Sequence, residues 1–566
     1  MSSMVRENRA EGPDLVPYDD ESRARYRAHG WWRGKTLPAE LERAAREHAG
    51  RPALVTPEGT WTYERLFGEA RAFAAGFAGQ AGARPGDAVM FQMGNVAETV
   101  VAYLGCLLAG ARPVCTLPQH GVREVGLLAE HTGARFLISQ ADFRDGRLLD
   151  QARQLRARGS VETVVVARGD APSDGHSYDG IVAAGRRGGG DPLPCTTVLP
   201  DGIAVFQLSG GTTGLPKIAP RLHEEYAYNS RAWAEAMGYG PDSRLLYPLP
   251  VMHNAGLSLA VQPAVLAGSC LVLAPSAEIT GLLDLVEEHR PDILPLVPPA
   301  LAIRLLESPE ARRADLSCVR DFVVGGQKLP AGIAERLRDE LGIRVRQMFG
   351  MAEGMFMLTP SKAAEEVRHH TVGTPIAPGD EVRILQPGGE DEAEDGEIGE
   401  FAARGPYTIR GYYRAPEHNR NSFTTDGFYR SGDLARRHIT ADGVYYSIEG
   451  RIKDVINRGV EKIHAEEIEE LIVQHPSVSF AALVAMPDPV LGEKGCAYLV
   501  PEPGTEPLTV TTLGEHLLGL GVARYKLPER VEIVDTLPLT NVGKVSKKTL
   551  RGDIERKLTE ETGESR

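Results

Sequence analysis

The sequence predicts an α/β protein: a large N-terminal domain of parallel-sheet α/β subdomains with a small β-rich subdomain, then a small α+β C-terminal domain. Three observations carry this. At 566 residues the chain exceeds what one hydrophobic core usually organises. From Leu54 to about Pro299, short β-branched runs alternate with longer helix-like segments, the pattern of parallel strands joined by crossovers. Beyond Gly373, and again after Gly450, the chain changes character, placing the domains at residues 1–450 and 451–566.

Taken in order, residues 88–93 read as a strand, 96–109 as a helix and 136–138 as the next strand. Residues 168–200, rich in Gly, Asp and Pro, read as a long surface connection. Segments 381–384, 400–404 and 443–447 are short strands between glycine turns, as a β-rich subdomain requires. After Gly450 the pattern gives a helix at 464–475, strands at 481–485 and 496–500, a helix at 511–519 and a strand at 530–534, enough for a compact α+β domain. No internal repeat or heptad run is present.

Sixty-three basic against 77 acidic residues give a net charge of −14, with an acidic cluster at Glu390-Asp391-Glu392-Ala393-Glu394-Asp395. That balance disfavours nonspecific binding to nucleic acid or anionic membranes. The six cysteines are scattered without zinc or redox spacing, the pattern of thiols in a reducing compartment. The N-terminus carries Arg6, Glu7, Arg9 and Glu11 rather than an apolar signal, and the best apolar run, residues 99–111, is too short to span a bilayer. A cytoplasmic protein without membrane spans is expected.

Ser209-Gly210-Gly211-Thr212-Thr213-Gly214-Leu215-Pro216-Lys217 follows the apolar run 203–206. Glycines admit close backbone N–H approach, hydroxyls add donors and lysine adds charge, which is what a polyphosphate demands. Pro216 stands where a P-loop needs Gly before its Lys, so this is a different phosphate loop. Phe349, Gly350, Met351, Ala352 and Glu353 then put an aromatic that can stack on adenine close to a carboxylate that can hold Mg²⁺. Tyr429-Arg430-Ser431-Gly432-Asp433 ends on a carboxylate able to accept from two vicinal hydroxyls. Gly450-Arg451-Ile452-Lys453-Asp454 lies where composition changes, and residues 537–548 carry a second basic motif, Gly543-Lys544.

In this order the five motifs resemble those of the adenylate-forming superfamily, which includes acyl-CoA synthetases, peptide-synthetase adenylation domains and luciferases, from about Trp61 to Lys548. The resemblance implies ATP and Mg²⁺ as cofactors. It assigns the phosphates to Ser209, Gly210, Gly211, Thr212, Thr213, Gly214 and Lys217, further nucleotide contacts to Gly325, Gly326, Phe349, Gly350, Met351, Ala352 and Arg451, the ribose to Asp433 and the metal to Glu353. The small C-terminal domain is then mobile and rotates about Lys453. Lys544 bridges the carboxylate and the α-phosphate as the acid attacks, an electrostatic role at a point where two anions must meet. Lys547 and Lys548 read as solvated surface charges.

Phe349-Gly350-Met351-Ala352-Glu353, Val324-Gly325-Gly326-Gln327-Lys328, Arg404-Gly405-Pro406-Tyr407-Thr408-Ile409-Arg410-Gly411-Tyr412-Tyr413 and Pro250-Val251-Met252-His253-Asn254 look most like the stand-alone aryl-acid AMP ligases of the 2,3-dihydroxybenzoate type. This implies His253 as a catalytic residue beside Lys544 and Glu353. It implies an acid pocket at His253, Asn254, Ala255, Leu259, Gly325 and Gly350. Two positions depart from the usual pattern: Ala255 replaces a Tyr and Leu259 a Ser, opening volume and removing a hydroxyl partner. A differently substituted or bicyclic aryl or heteroaryl acid is therefore favoured over dihydroxybenzoate, in siderophore or nonribosomal peptide biosynthesis.

The acceptor implied is the phosphopantetheine thiol of an aryl carrier protein, with coenzyme A as the alternative. In the thiol channel Gly459-Val460-Glu461-Lys462 replaces the usual Gly-Gly-Glu-Lys, adding a β-branched side chain. A luciferase-like oxygenase and a silent binding protein are the competing classes, the first disfavoured by the aryl-branch motifs and the second by the presence of Lys217, Glu353, Asp433, Arg451 and Lys544. Homodimerisation stays open.

Overall fold

A computed structural model describes residues 14–171, 175–188, 198–209, 217–459, 461–540 and 544–562. Two large sheets form the N-terminal part. One has seven strands in the order His176–Ser177, Thr163–Ala167, Phe136–Gln140, Ala88–Gln92, Arg112–Val114, Ile203–Ser209, Lys217–Leu222, parallel except for the last. The other has nine, with a parallel centre that includes Arg244–Tyr247, Ile293–Val297, Asp321–Gly325 and Val345–Met351. Ala88–Gln92 and Phe136–Gln140 are buried at every position, as strands covered on both faces must be, which explains why apolar residues run on without alternation in 88–91 and 136–138.

The apolar run at 99–111 is a core helix, Ala97–Leu108, buried at every position except Glu98. Its residues join one hydrophobic cluster that includes Val89 and Phe91 of the first sheet and Leu245 and Leu273 of the second. Among the described residues no helix is long and apolar enough to cross a membrane. Of the described cysteines all are free, four buried and Cys318 half-buried.

One connection differs from the sequence reading. Within 168–200, His176–Ser177 adds an edge strand and Tyr178–Arg187 forms a helix packed on Tyr63–Gly79. A Cβ at Gly76 would stand 1.9 Å from the Ile181 carbonyl oxygen, and one at Gly185 would stand 1.8 Å from that of Ala72. The glycines there serve backbone-to-backbone helix packing, although in the sequence they resemble a loop.

The β-rich part is a four-stranded antiparallel sheet, Glu381–Leu385, Ile398–Arg404, Tyr429–Thr440 and Gly443–Arg451. Its third strand, which carries Asp433, is not among the strands read from the sequence, because Ser431 and Gly432 interrupt it; Gly432 sits at φ +71°. The C-terminal part is a five-stranded sheet whose long hairpin Val478–Asp488 and Gly492–Pro501 packs against Ala465–Ile472 and Val510–Gly519. The helix Lys547–Thr562, unforeseen from sequence, covers its other face through Leu550 and Ile554. At the opposite end of the chain, Tyr18 donates to the Thr408 carbonyl at 2.6 Å and Trp32 to that of Pro406 at 2.9 Å, clasping the 406–410 segment.

Candidate active site

The phosphate loop hangs from an antiparallel hairpin in which Ser209 faces Lys217, so the loop begins and ends at one place. Gly210, Gly211, Thr212, Thr213 and Gly214 lie outside the described residues, as does Val460. The Ser209 hydroxyl donates to Oε1 of Glu353, a buried carboxylate. Tyr412 donates to the same oxygen and is 2.8 Å from the Tyr429 hydroxyl. Both of these hydrogen bonds fall on Oε1 of Glu353 rather than on Oε2. Lys217 sits 5.1 Å from the centre of the Tyr412 ring. Burial lowers its pKa, opposed by Glu353 and assisted by Arg451.

No cluster of three metal-ligating side chains exists among the described residues. A single carboxylate still suits Mg²⁺, which keeps several waters and is commonly held by one or two carboxylates plus substrate phosphates.

Phe349 is half-buried and packs edge-on to Phe401 at 5.1 Å, beside Gly350, Met351 and Ala352 at the end of Val345–Met351. Gly325 ends the neighbouring strand, where a Cβ would stand 2.6 Å from Met348. Gly326 adopts φ +90°, a backbone conformation that L side chains rarely take.

Asp433 and Arg451 face each other across adjacent strands, with Nε donating to Oδ1 at 2.6 Å. Although burial works against the guanidinium, Asp433 raises its pKa overall. Lys453 lies in the short turn Ile452–Asp454, its pKa lowered by burial and then by Arg451. Asp454 is held in turn by Arg551 of the C-terminal helix at 2.8 Å.

Lys544 comes from far along the chain, yet its Cε passes 3.2 Å from where a Gly326 Cβ would lie. The surrounding protein lowers its pKa, as does Arg451, while Asp433, Glu466 and Glu353 oppose the shift. The residue is exposed to solvent. One contact seats this segment, the Val545 N–H donating to Gln327 Oε1 at 3.2 Å, and beside it Lys328 pairs with Glu470 of the helix Ala465–Ile472 at 2.6 Å. Lys547 is not a solvated surface charge. It pairs with Glu469 at 2.8 Å with its side chain 11% exposed, and carboxylates at 469 and 466 raise its pKa against burial. Its position at the start of a helix that packs inward turns it towards those carboxylates.

His253 is driven down to about 4 by burial and then by Lys544 and His120, so its imidazole is neutral at physiological pH. Asn254 beside it is buried, and its Oδ1 accepts from Tyr226 at 3.1 Å and from Arg221 at 3.4 Å. Arg221 can only donate, which fixes the amide with oxygen towards it. Ala255, which caps a π-helical turn at Gly256–Val261, and Leu259 within it are buried, and the Ser258 hydroxyl is spent on the Asn254 carbonyl at 2.6 Å.

Comparison with known proteins identifies the family. The AMP-binding enzyme profile matches residues 41–413, and that of the AMP-binding enzyme C-terminal domain matches 467–544. The chain belongs to the AMP-binding enzyme family. It is 40% identical over 538 residues to pyochelin synthase PchD of Pseudomonas aeruginosa, covering 94% of this chain and 95% of the relative. It is 37% identical over 553 residues to a 2,3-dihydroxybenzoate-AMP ligase of Bacillus subtilis, covering 96% and 98%. Among solved structures it resembles the apo structure of MbtA from Mycobacterium smegmatis, with TM-score 0.72 and 37% identity over 95% and 98% of the two chains.

In this family member the structure brings together Lys217, Glu353, Asp433, Arg451 and Lys544, residues spread over more than three hundred positions. Sequence reasoning missed Tyr412 and Arg221. Tyr412 stood inside a motif used for its likeness alone. Arg221 carried no signal: its guanidinium is fully buried, paired with Glu225 at 2.9 Å, and reaches the Ala352 carbonyl at 3.1 Å and that of Tyr407 at 3.2 Å.

Proposed function

We propose that this chain uses ATP to convert an aryl carboxylic acid to its acyl-adenylate, then passes the acyl group to the phosphopantetheine thiol of an aryl carrier protein in siderophore or nonribosomal peptide biosynthesis. The observation that carries this reading is Lys544, delivered from the C-terminal segment into the cleft with Glu353, Asp433 and Arg451. In the first step a carboxylate oxygen bonds to the α-phosphorus and the bond to the bridging oxygen breaks, releasing pyrophosphate. Lys544 offsets repulsion between the two anions. Lys217 and Ser209, at the roots of the glycine-threonine loop, face the leaving phosphates. Asp433, its Oδ1 held by Arg451, offers its second oxygen to the ribose. Magnesium carried by the triphosphate would be held at Glu353 and would supply charge neutralisation. Neutral His253 and the Asn254 amide line the acid side.

The large and small domains meet at residues 450 and 451, with Lys453 as pivot. Support comes from the clamps on either side: Arg451 is tied to Asp433, and Asp454 to Arg551. In the second step the small domain turns, and the thiol sulfur attacks the acyl carbonyl with AMP leaving. We place the enzyme in the cytoplasm, where ATP and carrier proteins are at hand.

ATP–pyrophosphate exchange across a panel of aryl and heteroaryl acids tests the reading, with mass spectrometry of the adenylate formed from a mixed pool. Exchange with one or more aryl acids other than 2,3-dihydroxybenzoate is expected to be fastest. A highest kcat/KM for dihydroxybenzoate would overturn the substrate assignment, and no exchange with any aryl acid would overturn the function.

A further inference from the structure

The hydroxyl of Tyr412 sits at the junction of three parts of the nucleotide site. It donates to Oε1 of Glu353, lies 2.8 Å from the hydroxyl of Tyr429 on the strand that carries Asp433, and its ring lies 5.1 Å from the Lys217 ammonium. The side chain is buried, with 1% of its surface exposed. Its backbone is gripped twice by one residue: the Tyr412 N–H donates to Asn419 Oδ1 at 2.8 Å and Asn419 Nδ2 donates to the Tyr412 carbonyl at 3.0 Å.

The segment carrying Tyr412 also backs the segment carrying Glu353. The Ile409 N–H donates to the Glu353 carbonyl at 2.8 Å. Gly354 presses on the Tyr407 carbonyl so closely that a Cβ would stand 1.7 Å from its oxygen. Glu353 is thus placed by its backbone and aimed by the Ser209 and Tyr412 hydroxyls, which both converge on Oε1 rather than Oε2. Of those two donors, Ser209 stands at the root of the phosphate loop, whereas Tyr412 is locked from behind.

We propose that Tyr412 is a positioning residue for the metal and phosphate site: by holding one oxygen of Glu353 it turns the other towards the divalent cation that accompanies ATP, while its ring supports Lys217. The inference rests on the adenylate-forming reading above. Partners that orient a metal-binding carboxylate raise cation affinity because the free ligand no longer samples unproductive rotamers.

Tyr412→Phe keeps the ring under Lys217 and removes the hydroxyl. Mn²⁺ is titrated by electron paramagnetic resonance into the protein saturated with α,β-methylene-ATP, alongside the KM for the aryl acid. The expected result is Mn²⁺ binding weakened roughly tenfold with the acid KM unchanged. Unchanged Mn²⁺ binding in a folded Y412F protein overturns the proposal while leaving the adenylation reading intact; an equal rise in the acid KM overturns it as well, since a general loosening of the cleft would do that. If Y412F does not fold, Asn419→Ala, which releases the backbone grip but keeps the hydroxyl, takes its place with the same expected and overturning results. Failure of the wild-type protein to form any aryl adenylate would strike the parent reading instead.

Discussion

Gly326 makes room for Lys544. A Cβ on the glycine would stand 3.2 Å from the lysine Cε, and the glycine backbone at φ +90° suits no other residue well. The rotation proposed for the small domain would carry Lys544 past Gly326, which presents no side chain to it.

Lys544→Ala is expected to slow acyl-adenylate formation by roughly a hundredfold or more, the scale of losing one preorganised electrostatic stabiliser. Thioester formation from supplied acyl-adenylate should fall far less. Single-turnover assays of each half-reaction make the comparison, and equal losses would remove the assignment.

The ion pair Lys328–Glu470 joins the strand-end segment to the first helix of the C-terminal sheet domain at 2.6 Å, with side chains 20% and 37% exposed. Exposed pairs contribute little, so Lys328→Glu should slow adenylation only about threefold. Adding Glu470→Lys should restore it, and a double variant no faster than the single one would contradict the contact.

Lys547 neutralises Glu469 and stands near Glu466, whose carboxyl is pushed up to about 7 mainly by burial. Lys547→Ala should cost roughly 3 kcal/mol of stability by leaving buried carboxylates without their cation. A urea denaturation series would show it; a change near zero would mean that solvent reaches the cluster.

Two histidines set a direction for pH dependence. Burial lowers His223 to about 3 and His253 to about 4, from an ordinary value of 6.5. The unfolded chain takes up protons that the native one refuses, so their contribution is full above about pH 6.5 and is lost as pH falls towards those lowered values. The urea midpoint should drop between about pH 7 and about pH 5, and His223→Asn should flatten that slope.

The alternating α/β pattern, the β-rich insert and the closing α+β unit were all legible, because apolar periodicity records which faces are covered. The helix Tyr178–Arg187 was not, since the glycines that let it touch its neighbour look like loop residues. The strand around Asp433 was hidden by Ser431 and Gly432, and the inward helix at 547–562 by its charge. In the site, Lys217, Glu353, Asp433, Arg451 and Lys544 stood out because phosphate, ribose and carboxylate chemistry demands those residue types in recognisable local settings.

Local motifs thus suffice for the kind of chemistry and the order of the parts, because each motif's glycines, hydroxyls and charges act within a few neighbouring residues. How those parts face one another is a different matter. That Tyr412 aims Glu353, that Arg221 fixes the Asn254 amide and that Lys547 turns inward are consequences of segments distant in the chain being packed into contact. Hydrogen-bond direction and burial arise from that packing, and neither is written in the composition of any one segment.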